Sequence, residues 1–201
     1  MNRSVWITGY SLLILALSAT GCGDESPSGT GGDGIIRYPV VVMETSLGDV
    51  VIELYRDRSP VTVRNFLEYV EDGFYDGLTF HRAIRVWIIQ GGGFDENFES
   101  RPTRDPILNE ADNGLSNIRG TISMARTYVV DSATSQFFIN IVNNPGLDYI
   151  DRTRYGYCVF GRVIEGMHVV DAISRVETTT IGDYHDVPVE TVFINHMFRK
   201  Y

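Results

Sequence analysis

Three polar side chains stand where the surrounding sequence is apolar. Arg82 lies in Phe80-His81-Arg82-Ala83-Ile84, Gln90 closes Val86-Trp87-Ile88-Ile89, and Gln136 precedes Phe137-Phe138-Ile139. An arginine stays charged at any working pH and presents a rigid planar fork of donors. An amide left unpaired inside an apolar strand costs about 1–3 kcal/mol, so each glutamine needs a partner. The chemistry open to such a set is hydrogen-bond donation from fixed positions. His81 is the neighbour whose charge could change near neutral pH, which makes it a candidate general acid or base. The histidines His81, His168, His185 and His196 are scattered and form no metal constellation. Gly91-Gly92-Gly93 lacks the lysine and the helix start of a phosphate loop. A formal charge of -9 argues against a nucleic-acid backbone as partner, because phosphate binding needs a basic face.

Elements of regular structure must hold these residues. The 201 residues are 43% hydrophobic and 11% aromatic, enough for one sizeable packed domain. The 20 glycines are spread along the chain, which favours turns and many short strands. Pro39–Thr45 and Val50–Leu54, joined by Ser46-Leu47-Gly48-Asp49, read as a hairpin. Ser59-Pro60 predicts a helix start with a capping hydroxyl and proline at the first helical position. Val63, Phe66, Leu67 and Val70 form one apolar stripe, and Gly73 ends the helix. Strands are predicted at Thr79–Ile84, Val86–Gln90, Gly120–Met124, Gln136–Ile141, Cys158–Val163 and Val189–Met197, with a second helix at Met167–Ile173. The fold expected is mainly β, a closed antiparallel barrel capped by two α-helices, since closure removes exposed edges. Pattern alone leaves a sandwich almost level with it.

The amino-terminal segment reads as an address. Arg3 is followed by Ser11-Leu12-Leu13-Ile14-Leu15-Ala16-Leu17, too short to span a bilayer, which needs about 20 apolar residues. A basic start, a short apolar run and small residues make a secretory signal. Leu17-Ser18-Ala19-Thr20-Gly21-Cys22 resembles the bacterial lipoprotein box, with Ala19 where leucine is usual. On that reading residues 1–21 are a signal peptide, Cys22 is lipidated, residues 22–37 are a flexible Gly/Ser/Asp linker, and residues 38–201 are the domain. Acyl chains on Cys22 would anchor the chain in the cell envelope. Gly23 in place of aspartate favours the periplasmic face of the outer membrane, by resemblance to sorted lipoproteins. Cys158, inside Tyr157-Cys158-Val159-Phe160, reads as a buried inert thiol, and its context is too unlike that of Cys22 to suggest a disulfide.

Phe80–Ile84, Gln90-Gly91-Gly92-Gly93-Phe94, Asn109-Glu110, Gly120–Ala125, Ser135–Ile139 and Tyr157–Val163 together resemble the cyclophilin family, in its order and spacing. The resemblance runs from about Val40 to Met197. It implies a closed eight-stranded antiparallel barrel with a helix over each open end. It also implies peptidyl-prolyl cis–trans isomerisation with no cofactor and no metal. Rotation about a peptide bond faces a barrier of about 18–20 kcal/mol. In the twisted amide the prolyl nitrogen regains a lone pair, so a donor near it binds the transition state better than the planar ground state. By resemblance Arg82 is that donor, Gln90 orients it, and Gln136 hydrogen-bonds the bound peptide. Phe138 floors the proline pocket, with Trp87, Ile88, Leu147 and Tyr157 about it, while Ala125 and Arg126 offer backbone contacts. Phe137 must point to the opposite face from Phe138. His81 becomes structural, since isomerisation transfers no proton to a leaving group.

The chain departs from the family at Arg85-Val86-Trp87-Ile88, where Pro-Gly-Phe-Met is usual. It also has Arg126 in place of asparagine, Tyr157 in place of the histidine common in eukaryotic relatives, and Gly146 in place of an aromatic residue. Loss of the wall at Gly146 predicts weaker cyclosporin binding than in tryptophan-bearing relatives. The partners expected are proline-containing peptides and unfolded exported proteins, and the chain is expected to be monomeric. The alternative reading is a membrane-anchored proline-peptide-binding module or chaperone with little turnover.

Overall fold

Residues 38–200 are described in the computed structural model. The signal segment, Cys22 and the linker lie outside the described residues. The first hairpin forms as β1 (Val40–Thr45) and β2 (Gly48–Leu54), with Val41 opposite Ile52 and Met43 opposite Val50. Alternation along β1 buries Val41 and Met43 completely and leaves Val40, Val42 and Glu44 part-exposed. Helix α1 (Pro60–Glu71) follows, with Val63, Phe66, Leu67 and Val70 buried as the stripe requires. The Ser59 hydroxyl does not cap it. That hydroxyl donates to the Val159 carbonyl at 2.9 Å, and the Glu110 carboxylate accepts from the amides of Val61 (3.1 Å) and Thr62 (2.8 Å) instead. A carboxylate at the positive end of the helix dipole serves the orphan amides better than a hydroxyl.

The remaining elements are β3 (Arg82–Ala83), β4 (Ile88–Gly91), β5 (Thr121–Met124), β6 (Phe137–Asn140), β7 (Val159–Glu165), α2 (Met167–Ile173), β8 (Thr178–Ile181), β9 (Tyr184–Pro188) and β10 (Ile194–Arg199). Eight strands make one antiparallel sheet in the order β10-β1-β2-β7-β5-β6-β4-β3. Strands β8 and β9 pair only with each other, a hairpin absent from the strands predicted from the sequence. The expected barrel is not closed. Strand β3 is only 2 residues long, where Thr79–Ile84 was predicted, and it shares no ladder with β10. The seam is crossed by loop contacts: Gly77 N–H to Ile194 O (2.8 Å), Ile194 N–H to Leu78 O (2.8 Å), Phe80 N–H to Val192 O (2.9 Å), and a single bridge, Thr79–Phe193. The result is a curled half-barrel whose edges are stapled rather than zipped.

Inside the curl Phe66, Tyr69, Tyr75, Phe80, Phe137 and Phe160 are fully buried. Phe66 and Tyr75 each meet the Phe137 ring edge-on, at 5.8 and 5.6 Å. Helix α1 packs against β10 and α2 against β2. Among the described residues no helix is long and apolar enough to cross a membrane.

Candidate active site

The outer face of β3, β4, β6 and β5 carries the residues singled out by their chemistry. Cross-strand register places Arg82 opposite Gln90, Gln90 opposite Phe138, and Phe138 opposite Ser123. Directly paired residues in an antiparallel sheet share a face, so these four stand in one row. The alternate residues Ile89, Phe137, Ile139 and Ile122 point inward and are wholly buried. Phe138 (3% exposed) and Ile88 (4%) are buried too, yet neither belongs to the central core cluster. They form a separate apolar floor on the outer face.

Around that floor the remaining candidates assemble. Tyr157 meets the Phe138 ring edge-on at 5.5 Å, and the Arg126 guanidinium lies 4.8 Å from the centre of the Tyr157 ring. Arg126 also donates from Nε to Gly156 O at 2.9 Å, so here the side chain fixes the wall. Tyr157 N–H donates to Leu147 O at 2.9 Å, and Ala125 N–H to Gln136 O at 2.9 Å. The Arg82 guanidinium lies 5.3 Å from the centre of the Trp87 ring, a cation–π contact. Every candidate from Arg82 to Tyr157 therefore belongs to one surface. One orientation differs from expectation. Gln90 Nε2 donates to Gln136 Oε1 at 2.9 Å, which pairs one donor with one acceptor and leaves Gln136 Nε2 and Gln90 Oε1 over, and Gln90 makes no hydrogen bond to Arg82. Glycine at 93 is required for this: a Cβ there would fall 2.5 Å from the Gln136 amide. Gly92, with φ +76, turns the chain away from β4 in the left-handed region that glycine favours.

Behind the floor lies a buried amide network that the sequence did not announce. Asn140, on the same face as Ile88, donates to Thr121 Oγ1 at 2.9 Å and accepts from Asn144 Nδ2 at 2.7 Å. Asn144 Nδ2 also reaches Trp87 O at 3.1 Å. Asn117 Nδ2 donates to Leu147 O (3.1 Å) and Tyr157 O (3.3 Å), and its Oδ1 accepts from Ser123 Oγ at 2.8 Å. The network thus holds the backbone of Trp87, Leu147 and Tyr157, which wall the floor. An asparagine inside Phe137-Phe138-Ile139-Asn140-Ile141 was the available signal: a polar group in so apolar a strand has to be paired.

Two hollows flank the Gln90–Gln136 bridge. One, of about 170 Å³, is lined by Gln90, Ala125, Arg126, Thr127, Thr134 and Gln136. The other, of about 320 Å³, is lined by Arg82, Gln90, Gln136, His81, Phe94 and the tip of the β8–β9 hairpin. Asp186, on β9, approaches Arg82 Nε to 3.6 Å; the two side chains are 39% and 36% exposed. That separation is beyond a normal hydrogen bond, and an exposed pair contributes about 0–1 kcal/mol. The carboxylate meets the guanidinium at its Nε edge, and the terminal amino groups make no hydrogen bond among the described residues. A turn signal was present for the hairpin: Gly182-Asp183 between Thr178–Ile181 and Tyr184–Pro188. His81 is pushed down to about 4 by burial, with the charge of Arg82 adding to the effect. It is therefore neutral at pH 7, and its structural reading agrees with that. Among the described residues no cluster of three or more His, Cys, Asp or Glu could hold a metal ion.

Residues 40–198 match the family model described as cyclophilin type peptidyl-prolyl cis-trans isomerase/CLD. The chain is 50% identical over 154 residues to peptidyl-prolyl cis-trans isomerase A of Dickeya dadantii (strain 3937), covering 77% of this chain and 80% of that one. It is 48% identical over 157 residues to peptidyl-prolyl cis-trans isomerase B of Escherichia coli (strain K12), covering 77% of this chain and 96% of that one. A crystal structure of a Cryptosporidium parvum cyclophilin in the presence of the dipeptide Ala-Pro superposes with a TM-score of 0.61 at 26% identity, over 81% of this chain and 99% of that one. Fold and relatives agree, and the chain belongs to the cyclophilin-type peptidyl-prolyl cis–trans isomerases.

Proposed function

We propose that the family's X–Pro isomerisation is carried out on the outer face of β3, β4 and β6, with Arg82 as the transition-state donor and Phe138 as the proline floor. The observation that carries the reading is the row Arg82, Gln90, Phe138, one residue from each of three adjacent strands. The proline ring sits on Phe138 and Ile88, where apolar contact holds it without competing hydrogen bonds. Arg82 directs its terminal amino groups toward the nitrogen that pyramidalises as the amide twists. Trp87 holds the guanidinium from one side and Asp186 from its Nε edge, so little reorganisation is needed when the lone pair develops. The Gln90–Gln136 pair offers Gln136 Nε2 and Gln90 Oε1 to the peptide backbone. No proton moves and no covalent bond forms, so the rate gain is differential binding of the twisted amide alone.

The clients in this reading are exported proteins, and the chain is lipid-anchored in the cell envelope. Support comes from the Leu17–Cys22 sequence and the Gly/Ser/Asp stretch that follows it. The test of the site is a proline-peptide isomerisation assay with the full chain in mild detergent, beside Arg82→Ala. A charge-assisted hydrogen bond contributes about 1.5–3 kcal/mol, so a ten- to hundredfold loss in kcat/KM is expected. Equal rates for the two proteins would refute the assignment of Arg82. No acceleration by the wild type, with peptide binding intact, would establish the binding-module reading. The anchor is tested separately by mass spectrometry, where Cys22→Ser should lack the acyl mass.

A further inference from the structure

We propose that the β8–β9 hairpin adds a charge-selective subsite to the groove, which takes a lysine or arginine flanking the proline of the bound peptide. The inference rests on the reading of the Arg82 face as the peptide groove. The cavity of about 320 Å³ beside Arg82 is shared: Gln90, Gln136 and Arg82 form its sheet side, and Asp183, Tyr184 and His185 form its hairpin side. A peptide spanning the Gln90–Gln136 bridge therefore has the hairpin tip within reach of a neighbouring side chain.

The hairpin is held in place for this. The Tyr184 ring stacks on Phe98 at 4.5 Å and 28° and meets Phe94 at 5.4 Å, and Phe94 in turn meets His81 at 4.9 Å. Phe98 (φ 62) and Asp186 (φ 60) are the non-glycine residues with positive φ among the described residues, and they lie at the two sides of this contact. Such a backbone costs on the order of 1–3 kcal/mol per residue and persists only where the surroundings enforce it.

Its polarity selects the occupant. Asp186, 3.6 Å from Arg82 Nε, offsets part of the guanidinium charge at the cavity edge. The carboxylate of Asp183, exposed on the cavity rim, has no ion-pair partner among the described residues. Tyr184 and Phe94 supply aromatic surface for an aliphatic stem and a cation. His81 is only 7% exposed and lines the same cavity, and its Nδ1 has no hydrogen-bond partner. A cationic side chain with a long apolar stem meets all of these features, and a carboxylate would face Asp183.

The test uses the full chain and proline peptides carrying Lys, Ala or Glu one and two residues to either side of the proline. Rates and, by fluorescence anisotropy, affinities are measured at low ionic strength for wild type, Asp183→Asn, Asp183→Lys and Asp49→Asn, the last removing an equal charge from the β1–β2 hairpin. At one position the wild type should favour Lys over Glu by about fivefold, the scale of an exposed ion pair. The ratio should fall to near one in Asp183→Asn, reverse in Asp183→Lys, and persist in Asp49→Asn. A wild-type ratio near one at every position, or a ratio untouched by Asp183→Asn, overturns the subsite. Failure of the all-Ala peptide to be accelerated overturns the isomerase reading instead, and the affinity ratios still decide the subsite.

Discussion

Replacing Asn140 by alanine tests whether the pocket walls depend on the buried amide network. Asn140 is completely buried. It makes two short hydrogen bonds, to Thr121 Oγ1 at 2.9 Å and from Asn144 Nδ2 at 2.7 Å, and longer ones to Asn117 Oδ1 (3.3 Å) and Thr121 O (3.4 Å). Each short bond contributes about 1 kcal/mol net. The missing amide leaves a void of roughly 30 Å³, which at about 24 cal/mol per Å³ adds about 0.7 kcal/mol. No partner is fully orphaned: Asn144 keeps Trp87 O, Asn117 keeps Ser123 Oγ, and Thr121 Oγ1 keeps Ile118 O. The sum is about 3 kcal/mol, or a fall in Tm of about 6–12 °C for a domain of this size. Without Asn140 Oδ1 the Asn144 amide is held by the Trp87 carbonyl alone, so the segment carrying Trp87 is fixed less tightly, and Trp87 braces Arg82. A three- to tenfold loss in kcat/KM at 10 °C, where the variant remains folded, is therefore expected. Thermal melts and the proline-peptide assay read the two effects. A Tm within 2 °C of wild type together with an unchanged kcat/KM would refute the reasoning.

Acid stability should depend on His81. Its folded pKa of about 4 lies below the ordinary 6.5. The unfolded chain therefore takes up the proton first on acidification, and stability falls from pH 6.5 toward pH 4, by about 3 kcal/mol in all. His81→Phe should flatten that part of the urea-midpoint profile; a profile parallel to wild type would exclude His81 as its source. At Gly146 an added Cβ meets nothing within 4 Å, so Gly146→Trp has room to restore an aromatic wall. Cyclosporin should then bind about three- to tenfold tighter by calorimetry, the range of one aromatic contact. Unchanged affinity, or nanomolar binding by the wild type, would show that the wall at this position is not what limits the ligand.

The local rules that succeeded are those with short range. Alternation separated Phe137 from Phe138 and put them on opposite faces, because the side-chain period of a strand is two. The stripe Val63, Phe66, Leu67 and Val70 gave α1, and the span Met167–Ile173 matches α2. The site residues were legible only through their resemblance to a family. Nothing near Arg82 in the sequence says that Phe138 will stand two strands away in the same row. The hairpin was overlooked because Thr178–Ile181 is exposed throughout and has no buried face to impose a hydrophobic period.

The sequence alone determined the composition of the candidate groove: two permanent cations, Arg82 and Arg126, two amides in apolar strands, and the rings to surround them. Tertiary structure decided the rest. It chose Glu110 over Ser59 as the cap of α1, turned Gln90 to Gln136, and left the sheet open between β3 and β10. It also brought Asp186 and Asp183 to the side of Arg82. The physical reason is common to all four. A side chain's type fixes what it can donate, accept or bury, while its partner is set by register and by the return of distant segments, which no local pattern encodes.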